Sequence, residues 1–149
     1  PHVTKELFAQ TLADAYHTCM SMSFDSLTAG GVLTNNAPKL PILYQQILAI
    51  CTANLASHQD VDFLKQIGPA IIAYHTGGII IGPTGTVTIT VPGQWQNVKV
   101  PPNNDFQIIL NAFMIAARTH IMTMTGTYVS SVVPGVVSPW SGALLQTLP

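Results

Sequence analysis

Phe8, Leu12, Ala15, Tyr16 and Cys19 recur on one helical face, while Glu6, Gln10, Asp14 and His17 fall away from it. With Thr4 placed to cap the first turn, this spacing predicts a helix over residues 4–22. Ser26 to Asn36 has a Gly pair, an Asn pair and no helical period, and reads as a loop ending at Pro38 and Pro41. Pro41 suits a first helical turn. Leu43, Ile47, Ile50, Cys51, Asn54 and Leu55 then line one stripe opposed by Gln45, Gln46, Ala49 and Thr52, which predicts a second helix over 40–57. Asp60 can cap a third helix through Phe63, Leu64 and Ile67. Gly68-Pro69 is expected to kink or end it, because proline lacks a backbone donor and crowds the preceding turn. Residues 70–76 are ambiguous.

The period then changes from about 3.6 to 2. Ile79-Ile80-Ile81, Gly82-Pro83-Thr84-Gly85 and the alternating Thr86-Val87-Thr88-Ile89-Thr90-Val91 predict a hairpin with Val87, Ile89 and Val91 toward the core. The threonines would form an uncharged ladder on the other face, open to another strand or subunit. Val98-Lys99-Val100 is a candidate third strand before Pro101-Pro102. Asn104 and Gln107 make a capping-box pattern, and Phe106, Leu110, Phe113, Ala117, Ile121 and Met124 follow one stripe, predicting a fourth helix. From Tyr128 onward no charged residue occurs, and the stretch is too apolar for a solvated linker. The expected fold is therefore α+β: three to four amphipathic helices packed with a small antiparallel hairpin sheet in a single domain over 1–127, followed by an extended apolar tail over 128–149.

Composition sharpens this picture through charge. Asp, Glu, Lys and Arg make up 7% of the 149 residues, against roughly 25% in an ordinary soluble domain. A compact chain of this mass has on the order of 700 Å² of surface for each such charge, so large uncharged patches are unavoidable. Thinly charged surfaces favour association, and neutral polar residues make interface hydrogen bonds without the cost of burying an ion. Much of the surface is thus expected to face other subunits. The contacts are assigned to Thr86, Thr88 and Thr90 on the hairpin, to Trp95, and to Val133, Val136, Val137, Trp140, Leu144 and Leu145 in the tail. Tail packing along its own domain is the competing reading.

The search for chemistry singles out no catalytic, cofactor or metal residue. Lys5, Lys39, Lys65, Lys99 and Arg118 are scattered and net charge is −1, so no phosphate-neutralising track exists and nucleic acid is not an expected partner. No histidine pair has the spacing of a zinc-protease helix. His58, Asp60 and Asp62 have metal-like spacing, yet capping explains the carboxylates more simply. His17 and Cys19 stand two apart, on different helical faces, and Cys51 lies in an apolar stripe, so both cysteines read as structural thiols, with a disulfide left open. The glycines of 77–85 fit turns and lack the lysine of a phosphate loop. Mean hydropathy is +0.38, but Gln107, Asn111, Arg118 and His120 interrupt the longest apolar stretch, so no membrane span is expected. The N-terminal PHVTKE has no signal-peptide pattern and reads as a cytoplasmic product after loss of its initiator Met.

Short amphipathic helices, the TVTITV hairpin strand, scarce charge and the segment VVPGVVSPWSGALL together resemble small virion proteins of tailed bacteriophages, of the tail, baseplate or neck type. The resemblance implies a non-enzymatic structural subunit, made in the host cytoplasm and located in the virion. Its partners would be copies of itself and other virion proteins around a symmetry axis, with the tail or hairpin reaching to the next subunit. Two alternatives stand beside it: a membrane-active small protein, favoured by hydropathy, and a small hydrolase using Cys51 or His58, Asp60 and Asp62.

Overall fold

The computed structural model describes residues 4–57, 63–96 and 106–146. Four helices, α1 (Lys5–Ser21), α2 (Leu40–Ser57), α3 (Phe63–His75) and α4 (Phe106–Thr123), cover one face of an antiparallel sheet. Thr4 accepts from the Leu7 amide at 3.0 Å and caps α1. The buried stripe of α1 is Ala9, Ala13, Tyr16 and Met20, with Phe8 and Leu12 packed partly against the core and Ala15 exposed.

Gly68-Pro69 neither ends α3 nor stops it at residue 69; the helix continues to His75. The amide missing from Pro69 leaves the carbonyl one turn back without its usual donor. Beside it, the Trp95 indole Nε1 donates to the Leu64 carbonyl at 2.8 Å. Its ring sits where a side chain at position 68 would be, 2.8 Å from an ideal Cβ. Glycine at 68 therefore makes room for an indole that supplies an outside donor beside the break.

Seven strands follow in chain order: β1 (Phe24–Asp25), β2 (Val32–Leu33), β3 (Ile79–Gly82), β4 (Gly85–Val91), β5 (Thr125–Ser130), β6 (Val137–Ser141) and β7 (Leu145–Gln146). Strands β2-β3-β4-β5-β6 make one five-stranded sheet in that order, and β1 pairs with β7. The α+β class, the helices and the β3–β4 hairpin are as the periodicity predicts. The 26–36 segment, read as a loop, differs by contributing β2 to the sheet edge. Val91 differs too: a register irregularity between Ile89 and Val91 turns it outward, leaving it 52% exposed. The expected strand at 98–100, the Asn104 cap and the His58-Asp60-Asp62 cluster lie outside the described residues.

The largest correction concerns the C-terminal segment. Instead of leaving the domain as a tail, residues 125–141 supply two strands of its own sheet. Asp25, fully buried, is the fastening point. One carboxylate oxygen accepts the Thr28 amide and hydroxyl, each at 2.8 Å, and the other accepts Trp140 Nε1 at 2.7 Å. The Gly142 amide donates to the Met124 carbonyl at 2.8 Å, and an ideal Cβ on Gly142 would lie 1.8 Å from the Ile121 carbonyl oxygen. Only a residue without a side chain lets this segment close over the end of α4. Tyr128, Trp140 and Leu145 in it are covered within the chain, while Val132, Val133, Val136 and Val137 stay exposed.

Candidate functional site: the outer face of the sheet

Strand alternation sends successive residues to opposite faces. Leu33, Ile80, Val87 and Tyr128 stand in register across four strands and are buried beneath the helices. One residue further along, Val32, Ile81, Thr86, Val129 and Val137 form the corresponding row on the other face, across all five strands. Its four aliphatic members are between 41% and 60% exposed. A second row, Ile79, Thr88, Thr127 and Pro139, lies beside it. Neither row contains an ionisable side chain. Solvated antiparallel faces usually turn polar residues outward; this one presents Val, Ile, Thr and Pro.

The sheet's edges are poor sites for adding a strand. β4 carries the threonines but lies between β3 and β5, so both of its hydrogen-bonding edges are paired. β6, at one end, carries Pro139, which has no amide to donate, and β2, at the other, has two residues. The threonine ladder therefore offers its face and not an edge.

Of the residues assigned to contacts from the sequence, Thr86, Thr88, Thr90 and Val137 lie on strands of this exposed surface. Val133 and Val136 are exposed in the turn between β5 and β6, alongside Val132. Trp140 and Leu145 are buried in the domain's own core, and Leu144 packs partly against it. For these three the assignment is corrected, because the closing of 137–146 over α4 supplies their partner. Trp95 is half-buried against α3, where it satisfies the Leu64 carbonyl. Val32, Ile81 and Val129 join this surface without being among the contacts expected from the sequence. Ile81 was accessible from alternation with Ile80; a two-residue strand and a strand with one buried residue give no such signal.

Inside the domain lies a second polar cluster. His75 at the end of α3 and His120 in α4 are both buried, with ring centroids 5.5 Å apart. Tyr16 Oη and His75 Nε2 share a hydrogen bond of 2.5 Å, while His75 Nδ1 and both nitrogens of His120 have no partner among the described residues. Burial, with smaller contributions from His120 and Lys39, lowers His75 to about 3, and burial lowers His120 to about 4. Both rings are consequently neutral at pH 7. Burial raises Tyr16 well above the usual tyrosine range and pushes Tyr74 up to about 12. Tyr74 Oη accepts from Asn36 Nδ2 at 2.9 Å and bonds His17 Nδ1 at 2.8 Å.

This cluster has the character of a polar core. Among the described residues no group of three or more His, Cys, Asp or Glu is positioned to hold a metal ion. Cys19 and Cys51 are unpaired thiols, and burial pushes Cys51 up, away from the thiolate that nucleophilic attack needs. No helix among the described residues is long and apolar enough to cross a membrane. Comparison with protein-family models, with curated proteins and with solved structures found no match.

Proposed function

We propose that this chain is a structural subunit of a multi-chain assembly, most specifically a tail, baseplate or neck component of a tailed-bacteriophage virion. One observation carries the reading: among the described residues a five-stranded sheet is covered by helices on one face and by nothing on the other, and that second face has aliphatic and threonine side chains without charge. Monomers seldom keep contiguous apolar patches beyond a few hundred Å² unless these bind something. Scarcity of charge across the whole chain supports the same reading, since it leaves little to oppose association. The role is mechanical: apolar area removed from water holds copies in place, and the rigid two-layer fold transmits load.

The virion part of the proposal is tested by purifying tailed particles from cells that express a tagged copy. The expected result is the tagged chain in the particles at a fixed ratio to other virion proteins, resistant to high salt. A chain that remains in the particle-free fraction overturns it.

A further inference from the structure

Resting on the subunit reading, we infer that the outer face of the sheet packs against the same face of a second copy, with a twofold axis running along β4. Three observations favour this occupant. First, the mode of contact is narrowed to face-on packing, because β4 is internal, β6 carries Pro139 and β2 has two residues. Second, the two rows that cross the sheet contain no ionisable residue, so the face offers nothing to a charged partner and matches a surface equally free of charge. The same face of another copy is such a surface.

Third, the main row is self-complementary. Rotation about an axis along β4 reverses the order of strands. Val32 then meets Val137, Ile81 meets Val129, and Thr86 meets its own counterpart. Aliphatic residues face aliphatic residues and hydroxyls face hydroxyls. With strands of two to seven residues set about 4.8 Å apart and residues rising about 3.3 Å each, the face measures about 400 Å² in plan. Two such faces remove about 800 Å² before side-chain relief is counted, at the weak end of the range for interfaces. Covering this face with a copy of itself therefore makes a weak, concentration-dependent pair, at the aligned angle usual for stacked sheets.

The axis makes Thr88 the diagnostic position, because it is exposed on the middle strand and would meet Thr88 of the second copy. Thr88→Lys and Thr88→Glu are compared with the unaltered chain by analytical ultracentrifugation, and circular dichroism checks that each variant is folded. Like charges placed together at the axis are expected to weaken self-association at least about 100-fold for each variant alone. An equimolar mixture of the two is expected to regain a dimer, since Lys then faces Glu. Survival of the unaltered mass in either folded variant, or failure of the mixture to pair, overturns this inference while leaving the subunit reading in place. An unaltered chain that stays single at tens of micromolar overturns both. Should Thr88→Lys not fold, Thr86→Lys and Thr86→Glu, which also stand on the axis, are read in the same way.

Discussion

The two faces of the five-stranded sheet come from the same strands and from similar residues, yet they have different fates. Inward, Leu33, Ile80, Val87 and Ile89 are almost completely removed from water by α1–α4. Outward, Val32, Ile81, Val129 and Val137 are about half exposed. β-Branched residues suit a strand on either side, so composition alone does not distinguish a covered face from an open one. The inner face shows what this chemistry achieves when a partner layer is present. The outer face has the same side chains and no such layer within the described residues, and that difference is the basis for the proposal that another chain covers it.

Substitutions at the inner face have the largest expected effects. Trp140→Ala in the Thr88→Lys background, where association does not contribute, is expected to cost about 3–5 kcal/mol by urea unfolding. Val137→Ala in the same background is expected to stay within about 0.5 kcal/mol. Equal losses at both positions would end the distinction between the faces. Asp25→Asn turns one of the two oxygens that accept from Thr28 and Trp140 into an amide donor and is expected to cost about 1–3 kcal/mol, seen as a lower urea midpoint with an unchanged slope.

Next in size is the response to acid. His75 and His120 have folded-state values of about 3 and about 4, below the ordinary histidine value of 6.5. The unfolded chain therefore binds more protons below that value. Their stabilising contribution is complete above pH 6.5 and is lost as pH falls toward 4 for His120 and toward 3 for His75. At pH 5 each ring accounts for a loss of about 2 kcal/mol. His120→Leu should flatten the dependence of the urea midpoint on pH by about one proton's worth. An unchanged slope contradicts the buried, neutral state. The smallest effect concerns salt. Because the outer face has no charge, its self-association should change less than about threefold between 0.05 and 0.5 M sodium chloride and tighten in sulfate. A steep weakening in chloride would point to a charged interface elsewhere.

Much of the architecture was legible in the sequence where a period persisted for several turns or residues. The helices and the β3–β4 hairpin are of that kind. β2 was hidden because two residues carry no period, and β5 because only Tyr128 of its six residues is buried. β6 was hidden by Pro139, which argues against a strand in any sequence and is tolerated at this sheet edge. The apolar C-terminal segment was recognised as needing cover, but sequence could not say whether the cover was its own domain. The Asp25–Trp140 bond joins residues 115 positions apart, and the His75–His120 pair likewise has no local signature. For the candidate interface, the threonines of β4 were readable from alternation; Val32 and Val129 join them only once the strand order is known.

Sedimentation equilibrium of the unaltered chain from 1 to about 100 µM tests most directly whether another copy covers the outer face. The predicted result is a concentration-dependent mass at least twice the 15.9 kDa of one chain, reduced to a single chain by Thr88→Lys. A constant 15.9 kDa throughout that range would contradict it.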